Sequence, residues 1–145
     1  ETHEVFDWER AVKNGLSLVD SASVSRWEEL IDEAIQGPSA LFNPNGYVVS
    51  AFQAALSAIT ETPVPDNNPS EHFVNALETA VRIGDDCDTV AAIAGSLLGA
   101  KWGVEAIPSN WKKPLHGVGI AGSQVISCNL EDLQRYATLA ISSIT

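Results

Sequence analysis

Three aspartates fall within four positions of the stretch Gly84-Asp85-Asp86-Cys87-Asp88-Thr89, and an Ala- and Gly-rich segment follows at once. Carboxylates this close repel one another unless positive charge lies between them. Asp86 and Asp88 stand at i and i+2. The preceding helical pattern stops at Gly84, which puts Asp85 to Asp88 on a short turn between two helices. Side chains at that spacing can converge on one point on a turn, which they would not do on a regular helix. Thr89 adds another oxygen at the same corner. Clustered hard oxygens suit Mg²⁺, Mn²⁺ or Ca²⁺ and not the softer zinc sites. The N-terminus of the following helix also favours negative charge. The plain alternative is a helix cap, the commonest role of an aspartate in such a place. It accounts for Asp88 alone but leaves its neighbours unexplained. An EF-hand is excluded: counted from Asp86, loop position six is Ala91 where glycine belongs, and position twelve is Leu97 where glutamate belongs. No Gly-x-x-x-x-Gly-Lys-Ser/Thr phosphate loop occurs.

The elements that must position this corner read as helices. Phe6, Trp8, Ala11, Val12, Leu16 and Val19 recur at near-helical spacing from Val5 to Val19. The segment "SRWEELIDEAIQG" opens with Ser25 and Glu28 at capping-box spacing, carries the stripe Trp27, Leu30, Ile31, Ala34 and Ile35, and ends at Gly37-Pro38. A third helix is expected from about Tyr47 to Thr60. The loop "TETPVPDNNPS" then leads to Asn68-Pro69, an N-cap with proline at the first helical position. The fourth helix runs to about Ile83, and the fifth spans about Thr89 to Trp102. In the fifth, Gly95 and Gly99 lie on one face among alanines. Glycine costs a helix about 1 kcal/mol against alanine. Two of them therefore predict close backbone packing and a central, buried helix, whose fixed start would hold the aspartates rigid. After the loop "IPSNWKKPLHG", the stretch Val118 to Cys128 reads as irregular or as a short strand. Asn129 with Asp132 starts a last helix ending near Ile144. No internal repeat and no convincing strand alternation is present, so the fold class is all-α.

The 145 residues suggest one domain, and 45% apolar content is enough for a core. The net charge of −11 argues against a nucleic-acid or anionic-membrane partner, both of which call for basic patches. No apolar run approaches the about 20 residues of a membrane span, and no signal peptide is visible. Cys87 and Cys128 form no disulfide framework, so a reduced, cytoplasmic setting is expected. The chain begins at Glu1 and contains no Met, which points to a piece of a longer protein. His3, His72 and His116 are dispersed and read as surface or packing residues. Trp8, Trp27, Trp102 and Trp111 read as core, and Lys112-Lys113 as a solvated basic pair.

The stretch "GDDCDTVAAIAGSLLGAKWGVEAIPSNW" resembles the C-terminal metal motif of the ADP-ribosylglycohydrolase family, which includes enzymes that remove ADP-ribose from arginine or serine and the dinitrogenase-reductase activating glycohydrolases. The motif is Gly-x-Asp-x-Asp-Thr, an Ala/Gly-rich helix, a Tyr/Trp-Gly pair, Ile-Pro and a Trp. Gly84, Asp86, Asp88, Thr89, Trp102-Gly103, Ile107-Pro108 and Trp111 fit it. "NPNGYVVSAFQAALSAI", "HFVNALETAV" and "NLEDLQRYATLAI" are similar to the segments around it, and the likeness covers most of the chain from about Phe42 onward.

The resemblance implies an all-α, multi-helix orthogonal bundle of which this chain, residues 1–145, is a single domain or the C-terminal part. It implies a binuclear Mg²⁺ (or Mn²⁺) centre with Asp86, Asp88 and Thr89 as one set of metal ligands. Asp85 stands where glycine is usual and Cys87 where threonine is usual; neither is a ligand position. Asn45, Gly46 and Tyr47 are implied to line the side of the cleft that faces the ribose. The family's early Gly-Asp-Ala-x-Gly segment and its Asp-Asp-Thr motif do not occur here. The other ligands and the carboxylate that acts on the attacking water are therefore expected from a missing N-terminal half or a complementing chain, and no residue here is assigned as general base. The implied function is metal-dependent hydrolysis of the glycosidic bond of an ADP-ribosylated protein or a related ADP-ribose compound, with this chain alone inactive. The alternative is a non-catalytic ADP-ribose-binding or interaction module that has lost the rest of the site. Apolar surface left by an absent partner predicts a homo-oligomer.

Overall fold

The computed structural model describes residues 8–142. His3, Val5, Phe6 and Ile144, named above, lie outside the described residues. Helices dominate: α1 (Trp8–Leu16), α2 (Val24–Gln36), α3 (Val48–Glu61), α4 (His72–Arg82), α5 (Cys87–Trp102), the single turn α6 (Ser109–Lys112) and α7 (Leu130–Ser142), with a hairpin of β1 (His116–Ala121) and β2 (Gln124–Asn129) before α7. The all-α class holds. The chain forms two compact units, one ending at Ala106 and the other beginning at Ile107. Among the described residues no helix is long and apolar enough to cross a membrane.

In the first unit the central helix is α3, not α5. Ala51, Ala54, Ala55, Leu56, Ala58 and Ile59 are buried along it, and it packs on α2, α4, α5 and the 3-10 turn Ser39–Phe42. Alanines on several faces let neighbouring helices approach from more than one side. Two polar residues are buried with them, and each has a partner. Gln53 Nε2 donates to the Leu30 carbonyl at 3.0 Å and to Glu33 at 2.9 Å, and Ser57 Oγ donates to the Gly37 carbonyl at 2.6 Å. Pairing of this kind is what makes a buried polar group tolerable. By contrast α5 buries only the i, i+4, i+8 stripe Val90, Ala94 and Leu98. Its glycines do not mark close packing. A Cβ at Gly99 would meet nothing within 4 Å, and one at Gly95 would meet only the Leu77 Cδ1 methyl at 3.4 Å.

The start of α2 also differs from the capping-box expectation. The helix begins at Val24 with Ser23 at the cap position, so Ser25 lies inside the first turn. Asp20 is the reason: its carboxylate accepts the Ala22 N–H and its carbonyl accepts the Ser23 N–H, which turns the chain into helix two residues early. Trp27 packs edge-to-face on Phe52, with centroids 5.9 Å apart, and Leu30, Ile31 and Ala34 face the core. Ile35, the last of the expected stripe, is 41% exposed. Before α4, Pro69 does open the helical segment, as a 3-10 turn. Asn68 makes no side-chain cap; its amide donates to Glu71 and its carbonyl accepts from Ser70 Oγ.

The second unit holds the hairpin and α7. The hairpin pairs His116 with Asn129 through to Ala121 with Gln124 across a two-residue Gly122-Ser123 turn, and Gly122 has φ +63°. Glycine accepts that left-handed conformation at little cost. Asn129 and Asp132 form a reciprocal cap on α7: each side chain accepts the other residue's backbone N–H at 3.1 Å.

Candidate functional site

The acidic corner is built by the break between α4 and α5. The chain leaves α4 with two left-handed residues in succession, Gly84 at φ +81° and Asp85 at φ +57°. Glycine adopts this freely, while the aspartate costs about 1 kcal/mol or somewhat more. Asp86 occupies the cap position, and Cys87 already begins α5. The sequence expectation that α5 starts near Thr89 is therefore two residues late, and Asp88 and Thr89 stand in the first helical turn. Asp86 makes no side-chain cap; its carbonyl accepts the Val90 N–H.

Something outside the turn must hold it in this conformation, and that is Asn45. It lies 41 positions from Asp86 in sequence and is wholly buried. Its side-chain carbonyl accepts the Asp86 N–H at 2.9 Å, its side-chain amide donates to the Gly84 carbonyl at 3.3 Å, and its own N–H donates to Asp85 Oδ2 at 3.0 Å. Asn43 adds a bond from its side chain to the Ile83 carbonyl at 2.9 Å. Each such bond contributes about 1 kcal/mol, more where a carboxylate accepts. Together they outweigh the strain at Asp85, so the turn is set by the segment before α3.

The corner itself is open. Asp88 and Thr89 are exposed and Asp86 is half-buried. The two carboxyl groups lie within hydrogen-bonding reach. That contact is the leading cause holding Asp88 below the usual carboxylate range, followed by the backbone N–H groups of residues 88 and 89. Two carboxyl groups placed so closely share either a proton or a cation. A hard-oxygen pair with a hydroxyl one residue on fits Mg²⁺ or Mn²⁺ as a partial donor set, since such ions take about six oxygens. Among the described residues no group of three or more His, Cys, Asp or Glu side chains converges on one point, so the corner offers part of a coordination sphere. Gly46 and Tyr47 follow Asn45 at the entry to α3, and both are exposed.

The sequence did not single out what Asn45 does to the turn, because no local periodicity links positions 41 apart. Nor did it find the second polar centre. His72, read there as surface or packing, is 1% exposed. Its Nε2 lies 3.1 Å from the carbonyls of Ile59 and Thr62, and its Nδ1 accepts the Trp102 indole N–H at 3.1 Å. That pattern requires the neutral ring with its proton on Nε2. Burial is the leading cause pushing the His72 pKa down, with Lys101 nearby adding to it. A cavity of about 470 Å³ lies elsewhere in the first unit, lined by apolar residues including Trp27, Ile31, Phe52, Leu56 and Leu97. It offers no polar group to a sugar.

A sequence model described as ADP-ribosylglycohydrolase matches residues 3–142. The chain is 40% identical over 67 residues to the ADP-ribosylarginine hydrolase Tri1 of Pseudomonas putida, a match covering 46% of this chain and 16% of that protein. It is 30% identical over 100 residues to the human ADP-ribosylhydrolase ARH3, covering 69% of this chain and 26% of that protein. It is 36% identical over 73 residues to the dinitrogen reductase glycohydrolase of Rhodospirillum rubrum, covering 49% and 21%. No solved structure matches it significantly. The matched stretches thus span about a quarter or less of these curated relatives. With nearly the whole chain inside the family match and the Asp86–Asp88–Thr89 corner formed at the start of α5, this chain belongs to the ADP-ribosylglycohydrolase family.

Proposed function

We propose that this chain supplies the C-terminal part of a metal-dependent site that hydrolyses the bond at the anomeric carbon of ADP-ribose, carried by a protein or by a related small compound. The observation that supports it is the corner: two adjacent carboxyl groups and a hydroxyl at an open helix N-terminus, within a family match over residues 3–142. A bound Mg²⁺ or Mn²⁺ pair would supply the charge that orients ribose hydroxyls and a water and stabilises the transition state. Asp86 and Asp88 hold metal in this account and do not act as acid or base; Thr89 completes their side. The N-terminal turn of α5 favours negative charge at this corner. Gly46 and Tyr47, exposed at the entry to α3, face the sugar side of the cleft. Cleavage passes through an oxocarbenium-like state, which requires a group to take the proton of the attacking water. This corner has none to give. The remaining ligands and that base come from another part of the protein or from a complementing chain, in a cytoplasmic setting, and the present chain alone is inactive.

The test is release of ADP-ribose from arginine- or serine-linked ADP-ribosylated protein by the complete protein in Mg²⁺. Asp86→Ala or Asp88→Ala is expected to abolish release, and full activity of either variant at low Mg²⁺ would defeat the ligand role. A second reading, a module that binds ADP-ribose without cleaving it, is favoured by the absence of a third acidic ligand among the described residues. Saturable ADP-ribose binding by the complete protein, with no release from any linkage, would select it.

A further inference from the structure

Asn45 is placed where a sugar-binding residue would be looked for, yet its polar atoms face inward. The residue is fully buried, its two side-chain ends are directed to the Asp86 N–H and the Gly84 carbonyl, and its own N–H meets the Asp85 carboxylate. An ordinary helix leaves the N–H of its cap residue without an intrahelical acceptor. Here that group on Asp86 is taken by a side chain from before α3. The bond fixes where the Asp86 carboxylate leaves the backbone relative to Asp88, two positions along. The Asp85 carboxylate accepts the Asn45 N–H in the same clamp.

We infer that Asn45 is a positioning residue for the metal ligands: it sets the geometry of Asp86 and Asp88 through the Gly84–Asp86 turn and does not itself contact the ribose. This rests on the metal reading proposed above, and the tests separate the two. Partners of metal ligands typically change affinity ten- to a hundredfold when removed.

The experiment uses the complete protein, which carries the remaining ligands. In the metal-free protein, the Asp86 amide is expected to be protected from hydrogen exchange and to show a scalar coupling across the hydrogen bond to the Asn45 side-chain carbonyl. Exchange as fast as in an unstructured peptide, or no coupling, overturns the inference whatever the metal does. In Asn45→Ala the Asp86 amide is expected to exchange at least tenfold faster while the amides of Ala54 and Leu56 in α3 stay protected. The Mn²⁺ dissociation constant, read by electron paramagnetic resonance on folded protein, is expected to weaken about ten- to a hundredfold. Leu30→Ala, which destabilises the core away from the corner, should leave that constant unchanged; an equal loss there would reduce Asn45 to a general stabilising role and overturn the proposal. If Asn45→Ala does not fold, Asn45→Ser takes its place. It leaves a hydroxyl in the buried position but cannot hold both side-chain bonds, so about a tenfold weakening is expected and an unchanged constant overturns the proposal. A complete wild-type protein that binds no Mn²⁺, with the Asp86 amide protected and then released by Asn45→Ala, defeats the metal reading. It overturns the ligand-positioning role with it and leaves only the turn clamp standing.

Discussion

Asp85 shows how a single residue can sit against its own preference and still belong. Its left-handed φ of +57° suits glycine. The bond from the Asn45 N–H to its carboxylate offsets the strain. Replacing it by glycine trades the two, about 1–2 kcal/mol of relief against a charge-assisted bond of about 1.5–3 kcal/mol. Asp85→Gly is therefore expected to leave thermal stability within about 2 kcal/mol of the wild type and Mn²⁺ affinity unchanged, by calorimetry and titration. A large loss of affinity would make Asp85 a ligand. At this scale the sequence was informative where the signal was local. The Asn129–Asp132 cap and the stop at Gly84 could be read directly. The Ser25 cap could not, because a competing turn at Asp20 starts α2 earlier.

At the scale of elements, the helices were legible from their apolar spacing, but their ranking was not. Glycines in α5 suggested the buried centre, whereas the alanines of α3 form it. Small residues permit close approach without requiring it. Gly99 has open space where a Cβ would go, so Gly99→Ala should stabilise the chain by about 0.5–1 kcal/mol through helix propensity, measured by urea unfolding. Destabilisation would mean that a neighbour closes on that face. The hairpin was read only as an irregular stretch or a short strand over Val118 to Cys128, because the glycines between the apolar residues of β1 weaken the strand signal.

His72 ties the end of α3, the start of α4 and the end of α5 together, and only in its neutral form. Its pKa is lowered in the folded chain, so the unfolded chain binds its proton first as pH falls. The contribution of His72 to stability is therefore complete above about pH 6.5 and declines below it, by at most about 1.4 kcal/mol per pH unit. Unfolding free energies measured between pH 7.5 and 5 should show this decline in the wild type and a flatter profile in His72→Gln. Identical profiles would remove His72 as the cause.

For the whole molecule, the motif around Asp86 pointed to the family, and the family match over residues 3–142 agrees. Composition and periodicity alone did not reach that far; they gave a helical, acidic chain with an oxygen-rich corner. The bond from Asn45 across 41 positions, and the apolar cavity of about 470 Å³ lined by Trp27 and Phe52, arise only when the helices pack. Among the described residues no group of three or more His, Cys, Asp or Glu side chains converges at the corner, which is why the proposed function draws its remaining ligands from elsewhere.

The central claim is that Asp86, Asp88 and Thr89 grip a hard dication. Crystals of the complete protein grown in saturating Mn²⁺, with anomalous diffraction recorded at the manganese edge, test it most directly. The account predicts an anomalous peak at the Asp86–Asp88 corner that disappears in Asp86→Ala. A map with manganese elsewhere and none at this corner would contradict it.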